Sequence, residues 1–250
     1  MSGHSKWAQI KRQKGANDAK RGQMFTKLTR EIMVAAREGG ADPDANFRLR
    51  LVVQRARQIN MPQENIQRAI LRATGSGEDQ QQLEEITYEG YGPGGVAILV
   101  EALTDNRNRT VAEVRNVFTR NGGNLGENGS VAWLFEPRGF ISVPLDGQNP
   151  DDATLAAIDA GAVDVMQEDN TLAVYTELTD MERIRNSLES SGLTVEAAER
   201  ALVPKTSISL DEQKATQVLR LIEKLEDLDD VQNVSTNLEL SEELVAQLAS

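Results

Sequence analysis

Residues 205–240 of this 250-residue chain hold one long helix and one strand with nothing of their own to pack against. Ser209 and Glu212 have the spacing of a capping box, heading a helix that reaches about Asp227. The run Val231 to Leu238 then reads as a strand. Each must bury an apolar face against another layer. The segment before them is already complete. Strand Phe140–Val143, helix Asp151–Ala160, strand Val163–Gln167, strand Thr171–Thr176, helix Asp180–Ser190 and strand Thr194–Arg200 form a βαββαβ, ferredoxin-like unit over 139–203. Residues 83–136 are incomplete. They offer a strand "EITYEGY", a turn "GPGG", a strand "VAILVEAL", a helix capped by Thr110 with Glu113, and a strand Val131–Phe135. Adding the C-terminal helix and strand gives four strands and two helices. The reading is a discontinuous α/β domain, 83–136 plus 205–240, with 139–203 inserted in it.

Upstream, Phe25, Leu28, Ile32 and Ala35 recur at helical spacing until Gly39-Gly40 stops them. Asp42-Pro43-Asp44 starts a second helix with Phe47, Leu51, Ala56 and Ile59 inward, and Pro62 opens a third with Ile66 and Ile70 apolar. Residues 21–74 therefore form a small helical domain, and Gly75 to Gln82 a polar linker. The expected class is α+β: a basic arm (1–20), a helical domain, and two α/β, ferredoxin-like domains, one inserted in the other.

Charge is divided as sharply as structure. Residues 1–74 carry 15 Lys+Arg against 6 Asp+Glu, a net of +9; the remainder carries 12 against 33, a net of -21, giving the total of -12. This is a basic binding element on an acidic body. Within the arm, Lys6, Lys11, Arg12, Lys14, Lys20 and Arg21 are spaced through Gly-, Ser- and Asn-rich sequence, suited to neutralising phosphates with release of counterions. Trp7 sits among them, placed either to stack on a base or to dock the arm on the helical domain.

Several function classes are excluded or disfavoured. The chain has no cysteine, so disulfides, thiol catalysis and cysteine-bound metals are absent, in keeping with a reducing cytoplasm. Its one histidine, His4, lies in the arm, which argues against a zinc site or a Ser-His-Asp triad. No apolar run approaches the ~18 residues of a membrane span. Neither Gly-rich loop has a phosphate-binding fingerprint, and no nucleophile is paired with a base. No metal, cofactor or catalytic residue is assigned.

Tracing strand direction through 83–136 places the loops. Gly92, Gly94 and Gly95 of "GPGG" share one end of the sheet with "NGGNLGENGS", which includes Gly126. The same tracing delivers the acidic loop with Asp227, Asp229 and Asp230 to that rim. The rim is a candidate second surface, or a set of ordinary tight turns beside an acidic one. Arg107 and Arg109 fall at the opposite end, beside a helix N-terminus, as an anion site or as surface ion pairs. The break at Asn60–Pro62 permits a helix-turn-helix presenting Gln63, Asn65, Gln67 and Arg68, or a plain helical hairpin.

"GHSKWAQIKRQKGANDAKRGQMFTKLTREI", "NMPQENIQRAI", "YEGYGPGGVAILVEALTDNRNRT", "NGGNLGENGSVAWLF" and "LEDLDDVQNV" resemble, in order and over essentially the full chain, the signatures of the YebC/PmpR family. This family includes mitochondrial translational activators of cytochrome oxidase. The resemblance implies three domains, one helical and two α/β, and no enzyme activity. It implies a nucleic-acid partner: DNA for members called probable transcriptional regulators, the ribosome for members acting in translation. A body of charge -21 resists lying along duplex DNA, whereas a thin basic arm can enter an RNA crevice. Ribosomal RNA is therefore the favoured partner, DNA the alternative, with basic ribosomal proteins as possible contacts of the acidic rim. A nucleotide-binding enzyme or a small-ligand sensor are the rival classes.

Overall fold

The computed structural model describes residues 18–75, 83–168 and 170–240, with side chains from residue 21 onward. Three helices come first: α1 (Asp18–Gly39), α2 (Phe47–Gln58) and α3 (Gln63–Thr74). Their shared core is Leu28, Ile32, Leu49, Val52, Val53, Ala56, Ile66 and Ala69. Helix α1 starts at Asp18, so the last three residues assigned to the arm are helical.

The start of α2 also differs from the sequence reading. Asp42–Ala45 form a turn, and Asn46 is the cap. The Asn46 side chain accepts from Leu49 N–H and donates to the carbonyls of Ala35 and Gly40, closing α1 while opening α2. It fits because Gly39 has no Cβ, which would stand 2.6 Å from Asn46 Nδ2. Phe47 and Leu51 do not face the bundle core. They pack on the core of residues 141–198, because α2 is covered on two sides and carries two apolar stripes.

The central sheet has the order β3-β1-β2-β9, antiparallel throughout: β1 (Glu84–Tyr91), β2 (Ala97–Thr104), β3 (Asn124–Leu125) and β9 (Val231–Thr236). Strand β2 is central and buried on both faces except at Glu101, which explains its near-continuous apolar run. One face meets α4 (Arg107–Arg120) and α7 (Glu212–Glu226), with Ile98, Val100, Val114, Phe118, Leu221 and Leu225 fully buried. The other face sets Ala97 and Leu99 against Val131, Phe135 and Leu202.

The expected third strand, Val131–Phe135, is not a strand of this sheet. Ala132–Leu134 form a 3-10 turn, and Phe135 begins β4 (Phe135–Pro144) of the next sheet. The sheet's third strand is the two-residue β3.

Strand β4, α5 (Pro150–Asp159), β5 (Asp164–Glu168), β6 (Thr171–Thr176), α6 (Met181–Ser190) and β7 (Ala197–Pro204) make a second antiparallel sheet, order β5-β6-β4-β7. This is the ferredoxin-like arrangement. Its helix-side core holds Ile141, Val143, Ala157, Leu172, Val174, Ile184 and Leu188. The chain leaves and re-enters at adjacent points: Phe135 and Pro204 are register partners, and Lys205 N–H donates to Leu134 C=O at 2.8 Å. Then β8 (Ile208–Ser209) pairs in parallel with β10 (Leu238–Glu239), flanking α7 and β9.

Two expected capping boxes are displaced by other caps. Asn106, not Thr110, caps α4, and Asp211, not Ser209, caps α7. Asn outranks Thr at this position, and Asp211 lies nearer than Ser209 to the first buried residue of α7, Ala215.

Candidate nucleic-acid interface

Lys6, Trp7, Lys11, Arg12 and Lys14 lie outside the described residues, and Lys20 lies in the first turn of α1. Arg21, one residue further along α1, is exposed. Nine of the basic residues from Arg21 to Arg72 divide into two sets. One set faces the acidic body. Lys27 Nζ and Gln23 Nε2 donate to the carbonyls of Glu226 and Asp227, where α7 ends. Cations are favoured at that end of a helix. Arg30 donates to the Asp229 carbonyl and pairs with Asp230 at 2.8 Å. Arg48 bridges Glu38 and Glu85, Arg50 meets Glu182, and Arg55 joins Glu31 and Glu199. The second set is Arg21, Arg57, Arg68 and Arg72, all exposed and without an ion pair among the described residues. Arg68 and Arg72 share the outer face of α3 with Leu71, which is 69% exposed. Of the helix-turn-helix candidates, Gln63, Gln67 and Arg68 are exposed, and Asn65 is half-buried.

The acidic loop is not on the Gly-rich rim. Strand β9 is antiparallel to β2, with Val231 opposite Ala102, so Asp229 and Asp230 lie at the Thr104 end of the sheet. The error follows from the missing strand. With Val131–Phe135 crossing to another sheet, α7 begins at the rim and runs away from it. Asp230 is 2% exposed. Its carboxylate accepts from Thr110 Oγ1 at 2.7 Å, Thr104 Oγ1 at 3.1 Å and Arg109 at 2.7 Å, and faces Arg30. Burial pushes its pKa up. The Thr110 and Arg109 bonds, the Arg30 charge and the Thr104 bond outweigh burial and hold it below the ordinary value.

Arg109 is thus spent on Asp230 and Asp105 and is no anion site. Arg107 has no ion pair among the described residues. It lines a groove of about 830 Å³ with Arg115, Val111 and the outer edge of β1.

The two Gly-rich loops do share a rim. A Cβ added at Gly122 would stand 3.6 Å from Pro93 Cγ. Gly94 (φ 76°) and Gly126 have tight packing reasons to be glycine: a Cβ would meet Leu210 at 2.7 Å in one case and Ser130 Oγ at 2.6 Å in the other. The rim is held by Glu89, which sequence reasoning passed over. Its carboxylate, 6% exposed, accepts from the N–H groups of Gly129 (2.6 Å), Val131 (2.7 Å) and Ala132 (2.8 Å). Burial raises its pKa, but these three bonds bring it below the usual glutamate value. An acid set in the strand "YEGY" is the signal that could have found it.

Among the described residues no helix is long and apolar enough to cross a membrane. Residues 5–76 match the family described as "TACO1/YebC protein N-terminal domain", and residues 83–238 match "TACO1/YebC second and third domain". The chain is 54% identical over 251 residues to a "Probable transcriptional regulatory protein" of Herpetosiphon aurantiacus, covering 100% of this chain and 99% of that protein. It is 58% identical over 250 residues to one of Chloroflexus aurantiacus, covering 99% of each. The crystal structure of a conserved hypothetical protein from Aquifex aeolicus superposes with a TM-score of 0.84 at 46% identity, covering 90% of this chain and 93% of that one.

Proposed function

The chain belongs to the TACO1/YebC family, and from that premise we propose that it is a non-enzymatic, cytoplasmic regulator of gene expression that binds nucleic acid through its arm, contacting ribosomal RNA. The observation that carries this reading is the division of the basic residues. Lys27, Arg30, Arg48, Arg50 and Arg55 are consumed in fastening the bundle to an acidic body. Arg21, Arg57, Arg68 and Arg72 remain open to solvent, and the arm's sequence adds Lys6, Lys11, Arg12, Lys14 and Lys20.

The fastening bears on the choice of nucleic acid. It brings the acidic body close to the bundle, and charges interact across a Debye length of about 8 Å at physiological salt. A duplex along the bundle meets that repulsion. A slender arm reaching into folded RNA escapes most of it. A second reading, duplex DNA, is favoured by the relatives' names and by the exposed Gln63, Gln67 and Arg68 of α3. Titrating a ribosomal RNA fragment and a promoter duplex side by side at one salt concentration tests the ordering. Tighter, sequence-dependent binding to the duplex would reverse it.

A further inference from the structure

Trp133 is 63% exposed in a chain with only two tryptophans. Its position is built. The indole Nε1–H donates to the Ser130 carbonyl at 3.1 Å, and the Tyr91 hydroxyl donates to the same oxygen at 2.9 Å. The backbone carrying Ser130 and Trp133 is clamped by the three N–H bonds to Glu89. The indole's one polar group is therefore used, and what it offers outward is a fixed π face.

Its surroundings say what that face suits. Protein-binding hot spots sit in an apolar, water-excluding patch. Trp133 does not: the other large exposed apolar residues described, Met24, Leu71, Leu155, Ile158 and Val163, are on α1, α3, α5 and the approach to β5. The loop that ends at Ser130, whose carbonyl holds the indole, carries glycines at 126 and 129 and the exposed side chains of Glu127 and Asn128. A lone, fixed aromatic face beside backbone and side-chain amides is the chemistry that holds a nucleobase by stacking, and one unpaired base brings few phosphates toward Glu127.

We propose that Trp133 is a stacking platform for an unpaired base of a single-stranded nucleic acid, a contact separate from the arm. It rests on the nucleic-acid reading given above. The test uses the full chain with Trp7→Phe, which leaves Trp133 the sole indole. Fluorescein-labelled 12-mer oligoadenylate, as RNA and as DNA, is followed by anisotropy, and the unlabelled strand by quenching of Trp133 emission. The expected result is quenching that saturates with binding, by both strands if the base alone is read and by one if the sugar is read too. Trp133→Ala should weaken binding about 5- to 150-fold, the range for loss of one aromatic–base stack, with the salt slope unchanged. Trp133→Phe should recover most of it. Unquenched emission at saturation, or full affinity in a folded Trp133→Ala variant, overturns the proposal while leaving the arm reading intact. That reading is checked separately by loss of anisotropy in a Lys11→Glu, Arg12→Glu, Lys14→Glu variant. No binding of either strand overturns both. A proline-rich or basic peptide that shifts Trp133 emission where the oligonucleotides do not makes the rim a protein interface and also overturns the proposal.

Discussion

Arg30 of α1 and Asp230, just ahead of β9, meet at 2.8 Å and tie the first described helix to the last strand of the central sheet. The same carboxylate holds Arg109 and the hydroxyls of Thr104 and Thr110, so one buried acid fixes the end of β2, the start of α4 and the seat of the bundle. Asp230→Ala removes the anion that Arg30 and Arg109 share, leaving Arg109 with Asp105. It should lower stability by about 3 kcal/mol, the scale for breaking a largely buried charge pair. Urea unfolding measures it, and amide exchange in α1 should quicken.

The pH dependence has a definite sign. Asp230 and Glu89 are both held below their ordinary values of 3.8 and 4.5. A carboxylate with a depressed folded pKa stabilises fully above its unfolded value and loses that contribution as pH falls through the folded one. Urea midpoints should hold from neutrality to about pH 5 and fall below about pH 4. Asp230→Asn with Glu89→Gln should start lower and fall less steeply. A midpoint that rises on acidification would contradict the assignment.

Glu89 alone should govern the rim. Glutamine keeps the length but offers one accepting oxygen and turns N–H donors toward other donors. Glu89→Gln should cost on the order of 2 kcal/mol, since charged hydrogen bonds contribute about 1.5–3 kcal/mol each and a buried donor left unmet adds a penalty. Acrylamide should quench Trp133 more readily in this variant, because the clamp on residues 129–132 is loosened. Unchanged quenching and stability together would show that the clamp does not order the loop.

The chain's exit and return at Leu134 and Lys205, hydrogen-bonded at 2.8 Å, give the insertion its own test. We infer that 83–136 with 205–240 folds as one unit around 139–203. Joining Leu134 to Lys205 by a short Gly-Ser linker should preserve the β3-β1-β2-β9 sheet. The excised form should be less stable than the parent, because Phe47 and Leu51 lose the core they pack on and Ala97 and Leu99 lose Phe135 and Leu202. A central unit that also folds without 205–240 would refute the division, since Val218, Leu221, Leu225 and Val234 come from that segment.

What the sequence revealed, and what it hid, follows from how local each signal is. The alternation in 139–203 was legible because strand and helix periods repeat without interruption, and the orphan helix after Pro204 demanded a partner. Val131–Phe135 misled because an apolar run of five residues has no period of its own; a 3-10 turn and the start of β4 share it. That one misreading moved the acidic loop to the wrong end of the sheet and hid Asp230 as the partner of Arg109. Phe47 and Leu51 were assigned to the wrong core because α2 is buried on two sides. Trp133 and Glu89 were missed because each depends on a contact between segments distant in sequence, and only "NGSVAW" in an aromatic-poor chain hinted at the first.

The arm's contribution is separable by salt. If about five of Lys6, Lys11, Arg12, Lys14, Lys20 and Arg21 meet phosphates, the binding constant should fall with salt at a log-log slope of roughly -3.5 on single-stranded regions and nearer -4.5 on duplex DNA. The charge reversal at Lys11, Arg12 and Lys14 should abolish binding. It should leave the melting temperature unchanged if the arm stands outside the apolar cores, as its charge and lack of apolar periodicity predict. Arg68→Ala with Arg72→Ala, on the open face of α3, should lower the slope only if the bundle also touches phosphate; the arm alone predicts no change. Trp7→Ala should weaken binding by ~1–3 kcal/mol at constant slope if Trp7 stacks on a base. A lowered melting temperature in Trp7→Ala would instead assign Trp7 to docking the arm on the bundle.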